Sequence, residues 1–467
     1  MLRLHDSASQ RLELLVPRSD GRASMYVCGP TVYERPHLGH GRMVLVFDML
    51  RRYLCFSGLD VLHVSNITDV DDKIVKRAAS ENRSIVEVAA QFEASWWTAT
   101  DAIGALRPHL APHATDYIAG MLALIGELVS RHFAYETSSG VYLAVERVDG
   151  YGLLAHQSLD SLKAGARVEI DEEKRSPLDF ALWKRTRPRE PSWGSRFGQG
   201  RPGWHTECVV MSLDALGEDF DIHAGSEELA FPHHENERAQ ASALDKRFAR
   251  RWVHCGWVVV GDEKMSKSLS NFTTIDDLCT RHDPRCYRLL ILQSHYRSQI
   301  EVSELALSDA ERALARLDRL VTRFSVESPE DLASKPVGQH VRGDRRIDDS
   351  EVQRFKDRMD DDLDTPGALA GIFEMVSRAN SVGDSGDGQG ATRLARTVSL
   401  LCSVLGLQLR PSRPGDVDQS VHDLLAQREH ARAQRDYERA DEIRQKLARL
   451  GWTLEDSAEG TKIRRSG

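Results

Sequence analysis

Ser24-Met25-Tyr26-Val27-Cys28-Gly29-Pro30-Thr31-Val32-Tyr33-Glu34-Arg35-Pro36-His37-Leu38-Gly39-His40-Gly41-Arg42 is the stretch whose reading decides the fold. Residues 25–27 suit a short apolar strand, Gly29-Pro30 a turn, and His37-Leu38-Gly39-His40 the entry to a helix beginning near His40. A helix start offers N–H groups without helical partners and the positive end of the macrodipole. Gly39 lets a phosphate approach the backbone, and His37 and His40 can donate to its oxygens. The strand also delivers Cys28 beside that turn. Taken alone, the same pattern describes equally well a surface helix with two solvated histidines.

Outward from this stretch, residues 40–57 space their apolar side chains helically and stop at Gly58, and residues 59–64 read as a second strand. Strand, helix and strand of these lengths make a βαβ unit. The sheet is then parallel, and ligands gather at the carboxyl ends of its strands. Asn66-Ile67-Thr68-Asp69-Val70-Asp71-Asp72-Lys73 lies at that end, although it also suits a capped, acidic helix start. Residues 74–132 read as helical with a Pro-rich break at 107–112. From 135 to about 193, short strand-like runs lie among Gly, Pro and charged residues, which predicts an insertion and not a continuation of the sheet.

With 467 residues the chain exceeds one ordinary domain. Hydrophobic residues make up 41% and charged ones 28%, and no apolar run reaches the roughly 18 residues of a membrane span. The first residues lack a secretory apolar core, so a cytoplasmic location is expected. Seven cysteines, scattered without framework spacing, argue for thiols and metal ligands over a disulfide scaffold. A net charge of −9 means that any polyanionic partner must be met by local basic patches.

Four further segments carry chemistry. Gly203-Trp204-His205-Thr206-Glu207-Cys208 precedes a helix, and Phe220-Asp221-Ile222-His223 reads as a short strand. Phe231-Pro232-His233-His234-Glu235-Asn236-Glu237 opens a helix after Pro232. On that helix His233 and Glu237 share a face, which His234 does not join. With Cys28 and Cys208 they form a thiolate, imidazole and carboxylate set suited to Zn²⁺, or else a satisfied polar helix start. Lys264-Met265-Ser266-Lys267-Ser268 follows an apolar strand at 257–260. Its lysines suit closure over a triphosphate and neutralisation of a departing pyrophosphate, although short basic loops are common on surfaces.

His37-Leu38-Gly39-His40 together with Lys264-Met265-Ser266-Lys267-Ser268 resembles the HIGH and KMSKS signature pair of class I aminoacyl-tRNA synthetases. Within that class, the segments at Met25 to Gly29, Asn66 to Lys73, Gly203 to Cys208 and Phe231 to Glu237 resemble the cysteinyl-tRNA synthetase family. The likeness extends through His295-Tyr296-Arg297-Ser298 and Met359-Asp360-Asp361-Asp362 to Leu454-Glu455-Asp456 and Gly460-Thr461. It implies a Rossmann-type α/β catalytic domain with an insertion, then a helical bundle and a small C-terminal α/β domain. It implies activation of L-cysteine with Mg²⁺-ATP and transfer to the 3′ end of tRNA(Cys), by a monomer with no membrane partner. Zinc on Cys28, Cys208, His233 and Glu237 would select the substrate thiolate. His37, Gly39, His40, Lys264 and Lys267 would serve ATP, with both histidines and both lysines catalytic, while Gly29, Thr68, Trp204 and His223 would meet the amino acid.

Zinc is a sensible selector, because it binds thiolate but leaves a serine hydroxyl protonated. Rejecting serine by about 10⁴ to 10⁵ requires about 5.5 to 7 kcal/mol, more than apolar contacts supply. Two departures from the family pattern stand out. Its glycine-rich run after His223 is here Ala224-Gly225-Ser226-Glu227-Glu228, and the glycine after the second signature is Ser270. Rival readings are a ligase joining cysteine to an amino sugar and a non-catalytic paralogue that binds tRNA or cysteine.

The expected divisions are 1–115 and 196–250 for the two halves of the catalytic domain, with the insertion at 116–195 between them. Residues 251–304 carry the second signature and contact the tRNA stem, 305–410 form the bundle, and 417–467 bind the anticodon. Within the bundle, Asp364-Thr365-Pro366 reads as a capped helix start, and residues 325–349 and 383–390 as polar loops. Residues 417–467 hold ten Lys plus Arg and ten Asp plus Glu, so RNA binding there would rest on patterned arginines.

Overall fold

The computed structural model describes residues 1–18, 21–158, 161–162, 173–186, 190–260, 263–264, 274–326, 346–411, 419–434, 436–449, 452–457 and 460–465. It divides into two compact units, Met1–Pro411 and Ser412–Gly467.

In the first unit a hairpin of β1 (Arg3–Asp6) and β2 (Arg11–Leu14) leads to β3 (Arg22–Val27), helix α1 (Leu38–Phe56) and β4 (Asp60–Val64). β3 and β4 pair in parallel across α1, the expected βαβ unit. Helices α2 (Asp72–Glu81), α3 (Ile85–Ala102) and α4 (Ile118–Ser130) follow. Strands β5 (Ala134–Glu136), β6 (Gly140–Leu143), β7 (Phe180–Arg185) and β8 (Gly200–Pro202) then build a separate antiparallel sheet. That sheet includes β8, which the sequence reading places in the returning catalytic half, because Trp183, Lys184 and Arg185 pair with residues 200–202.

The chain returns through α5 (Trp204–Leu216) to β9 (Phe220–Ser226), α6 (Glu235–Ala243) and β10 (Ala249–Cys255). The main sheet is wholly parallel in the order β10-β9-β3-β4. Its order reverses between β3 and β9, and beyond the carboxyl ends of strands at such a reversal is where open parallel sheets commonly hold a ligand.

Side-chain alternation along β3 decides what faces each side of the sheet there. Met25 and Val27 enter one core with Leu45, Val46 and Leu50 of α1. Tyr26 and Cys28 enter another, with Cys208 and Val209 of α5 and Ala239 and Ala241 of α6. Cys28 is thereby committed to the side where α5 and α6 pack.

Beyond β10 lie β11 (Val258–Val260), β12 (Glu263–Lys264), α7 (Ile275–Arg281), α8 (Pro284–Leu292), β13 (Ile300–Glu301) and α9 (Glu304–Arg323). Helices α10 (Asp349–Met359), α11 (Thr365–Asp384) and α12 (Gly388–Val404) complete the bundle. As expected, Asp364 caps α11, accepting from Gly367 N at 2.9 Å, with Pro in the first turn. The loop expected at 383–390 is a correction, since α11 runs through Gly383 and only three residues separate it from α12. A Cβ on Gly383 would lie 2.9 Å from the Phe324 ring, so the glycine serves close helix packing and not a turn. Residues 327–345, within the other expected loop, lie outside the described residues. The two motif segments near 296 and 360 meet. Tyr296 Oη donates to Asp362 Oδ1 at 2.7 Å, and Arg297 Nε to Oδ2 at 2.8 Å.

α1 is tied to α8 by a buried charge cluster. Asp48 Oδ2 accepts from Arg52 Nε at 2.9 Å and from Arg288 Nη1 at 2.6 Å, and all three side chains are at most 4% exposed. Burial would raise the Asp48 pKa, but Arg288 and Arg52 outweigh it and hold the carboxyl below its usual range. Asp48→Asn should therefore cost about 3–5 kcal/mol, seen as a lower urea midpoint at pH 7. Because the folded pKa is depressed, this contribution is complete above the unfolded value of about 3.9 and lost as pH falls through the folded one. The gap between variant and parent should close in acid.

The second unit holds α13 (Gln419–Ala433), α14 (Tyr437–Arg449) and an antiparallel pair, β14 (Trp452–Ser457) with β15 (Gly460–Arg465). Val421, Leu424, Ile443, Leu447 and Leu454 form its core. Among the described residues no helix is long and apolar enough to cross a membrane.

Candidate metal centre and nucleotide-binding turn

Cys28 follows β3 directly, and its N–H donates to Ala224 O at 3.0 Å, which fixes it just beyond the carboxyl end of that strand. Its Sγ lies 3.8 Å from Cys208 Sγ on α5 and 3.6 Å from Glu237 Oε1 on α6. His233 Nε2 is 3.0 Å from the same Oε1 and 3.7 Å from Cys208 Sγ. One atom from each of the four lies within 4.8 Å of the others, and all four residues are at most 2% exposed. Two thiols, an imidazole and a carboxylate converging in so small a buried volume are a donor set that fits a divalent cation.

The charges interlock. Burial would raise the Glu237 pKa, but His223 and His233 more than offset it and drive it well below the usual range. Burial disfavours a charged His233, yet Glu237 and Cys208 lift it to about 10. The hydrogen bond from the Cys28 thiol, against burial, lowers Cys208 to about 6, while burial and then Cys208 push Cys28 well up.

Local backbone explains the histidine placement and corrects the sequence reading. α6 begins at Glu235, and Ala230–His234 form a wide π-type turn in which Phe231 is extended, as a residue before proline prefers. The turn carries both histidines inward. His233 keeps its relation to Glu237, and His234, expected to point elsewhere, has its Nε2 3.2 Å from Cys28 Sγ. Cys28, His223, His234 and Glu237 form a second convergent group sharing two members with the first.

Residues expected around an amino acid converge on the same place. Trp204 stacks on His233 with ring centroids 3.9 Å apart and planes 18° apart. His223 Nε2 lies 3.1 Å from Glu237 Oε2. Thr68 Oγ1 donates to Glu207 Oε2 at 2.9 Å and accepts from Asn66 Nδ2 at 3.1 Å. Asn66 Oδ1 also accepts from Gly29 N at 2.8 Å. A Cβ on Gly29 would stand 1.7 Å from Asn66 O, so only glycine fits there. Asn66, His205 and Glu207 belong to the sequence motifs, but nothing in their spacing assigns them a role. His205 Nδ1 in fact faces His233 Nδ1 at 2.9 Å.

At the first turn of α1, which starts at Leu38 and not His40, the two histidines cap the helix reciprocally. His37 Nδ1 accepts from His40 N and His40 Nδ1 from His37 N, each at 3.3 Å, and their rings stack at 3.7 Å. With both Nδ1 atoms accepting, a neutral ring carries its proton on Nε2, so each can act as a donor. A Cβ on Gly39 would lie 2.9 Å from the His37 ring, so here the glycine makes room for that stack. Lys264 pairs with Val259 in the β11–β12 ladder, whereas Lys267 and Ser270 lie outside the described residues. Of the unusual run after His223, Ala224 is fully buried within β9, and Glu227 and Glu228 are exposed.

Residues 14–312 match the family model for the class I (C) tRNA synthetase catalytic domain. A DALR domain matches residues 354–410, and a cysteinyl-tRNA ligase anticodon-binding domain residues 415–464. The cysteine–tRNA ligase of Thioalkalivibrio sulfidiphilus is 44% identical over 475 residues, covering 100% of both chains. This chain belongs to the cysteine–tRNA ligase family. The Geobacter metallireducens ligase is 42% identical, covering 98% of this chain and 99% of its own. The aminoacyl-tRNA ligase fold extends to more distant structures. The methionyl-tRNA synthetase of Mycobacterium tuberculosis in complex with methionyl-adenylate superposes with a TM-score of 0.58 at 16% identity, over 82% of this ligase chain and 89% of its own. Agrobacterium radiobacter LeuRS, in a ternary complex with tRNA and LeuAMS, gives 0.58 at 10% identity, over 85% and 88%.

Proposed function

We propose that this cysteine–tRNA ligase selects its amino acid with one zinc ion on Cys28, Cys208, His233 and Glu237, and proceeds through cysteinyl-adenylate formed from Mg²⁺-ATP. The convergence of those four buried donors beyond the carboxyl ends of β3 and β9 supports the reading. When bound, zinc supplies a soft site for a substrate thiolate that a serine hydroxyl does not satisfy. Gly29, Thr68, Trp204 and His223 surround the amino acid, His223 through its contact with Glu237 and Trp204 through its stack on His233. His37 and His40 present Nε2 donors to phosphate oxygens, while Gly39 keeps their rings stacked. Lys264 and Lys267 neutralise charge on the departing pyrophosphate. The likeness running through residue 464 favours tRNA over an amino sugar as acceptor. The protein acts as a cytoplasmic monomer, with the catalytic, insertion, bundle and anticodon-binding segments as divided above, β8 joining the insertion.

Cysteine-dependent exchange of pyrophosphate with ATP tests the core of this reading. Exchange should require cysteine and should not be supported by serine, and serine-driven exchange at a comparable rate would defeat it. Lys267→Ala should lower the rate of adenylate formation about 10²- to 10³-fold while changing the Kd for cysteine little, because its charge is needed mainly in the transition state. Equal losses in both quantities would remove Lys267 from that role.

A further inference from the structure

A line of polar contacts leads from the metal centre to the N-terminal hairpin. His234 Nε2 is 3.2 Å from Cys28 Sγ. Its Nδ1 is 2.8 Å from His254 Nε2, and His254 Nδ1 is 2.7 Å from Ser7 Oγ. His234 is fully buried and His254 is 6% exposed, whereas Ser7 is only half-buried. The backbone of Ser7 is anchored in turn, its N donating to Trp252 O at 2.8 Å and its O meeting His156 Nε2 at 2.7 Å.

Its polarity follows from the zinc reading, on which this inference rests. A metal-bound Cys28 sulfur is a thiolate and only accepts, so the nitrogen facing it must carry hydrogen. With the proton on His234 Nε2, Nδ1 has a lone pair and must accept from His254 Nε2–H. His254 Nδ1 then accepts from the Ser7 hydroxyl. Every group is satisfied in one direction only, and neutral rings suffice. Burial agrees, lowering His254 to about 3.

We propose that Ser7 and His254 are positioning residues that lock His234 as a donor to the Cys28 thiolate, and so tune the charge on one sulfur of the centre. His234 thereby supports the centre from outside, and is not one of its ligands. The outer partners of metal ligands commonly contribute 10- to 100-fold to metal affinity.

The test uses the full-length protein loaded with Co²⁺ or Zn²⁺. His254→Phe removes the donor to His234 Nδ1 and should weaken zinc binding by about 10- to 100-fold and shift the sulfur-to-cobalt charge-transfer band to lower energy, because His234 is no longer held as a donor to the sulfur. His254→Gln, whose amide can still donate, should restore both toward the parent. Ser7→Ala, at a half-buried site, should give a smaller shift of the same sign and guards against a misfolded His254 variant. Nitrogen NMR of the zinc-loaded protein should show both His234 and His254 protonated at Nε2. An unchanged band and affinity in His254→Phe, or an Nδ1–H form of His234, would overturn the proposal while leaving the zinc reading intact. Failure of the parent to bind either metal would overturn both.

Discussion

Cys208→Ser should strip the centre of its metal and reduce kcat/KM for cysteine in pyrophosphate exchange by about 10²- to 10³-fold. Removing one member of a buried charged set costs about 3–5 kcal/mol, and each 1.4 kcal/mol is a factor of ten. Cys208 is the informative choice. Its Sγ lies 3.8 Å from Cys28 Sγ and 3.7 Å from His233 Nε2, at the middle of the donor set, and serine cannot supply a thiolate there. The parent should carry about one zinc per chain and the variant little. The KM for ATP should move much less, since the His37–His40 turn lies on a different element. Serine should remain a poor substrate of the variant, because the loss is of thiolate binding and creates no hydroxyl site. A metal-free protein with full activity would eliminate the metal from the reaction.

The part of this centre that is legible in the sequence follows from local rules. Alternation along β3 sends Cys28 to the face opposite Met25 and Val27, and a four-residue spacing puts His233 beside Glu237. The βαβ unit is legible for the same reason, since period and length suffice for it. The remainder depends on tertiary approach. His234 escapes a helical-face argument because Phe231 breaks the helix ahead of it, and the π-type turn redirects two successive histidines inward. His254 and Ser7 are separated by most of the catalytic domain and meet because β1 and its turn lie beside β10, a pairing that no periodicity announces. Gly383 misleads in the opposite sense, as a glycine that reads as a turn and instead admits the Phe324 ring. Gly29 is comparable, since its need to be glycine comes from Asn66 O, 37 residues away in the chain.

Truncation after Asp416 should leave exchange nearly intact and lower kcat/KM for tRNA charging by about 30-fold to about 10⁴-fold. Met1–Pro411 is compact by itself, and the residues proposed for adenylation lie wholly inside it. The C-terminal unit has its own small core of Val421, Leu424, Ile443, Leu447 and Leu454. The first unit has a large core of its own, so the shorter protein should fold. The size of the effect corresponds to two anticodon bases that no longer stack on protein, at about 1–3 kcal/mol each. Arg464 and Arg465 are the first candidates for holding them. Both lie on β15, where they pair with Thr453 and Trp452 of β14, so two successive arginine positions sit on a hydrogen-bonded ladder. A planar guanidinium can stack on an unpaired base or pair with phosphate. Replacing both arginines by alanine in the full chain should reproduce part of the charging defect without changing exchange. If the truncated protein charges tRNA as well as the intact one, the C-terminal unit does not read the anticodon. If truncation abolishes exchange as well, the two units depend on each other during adenylation, and the modular division is wrong.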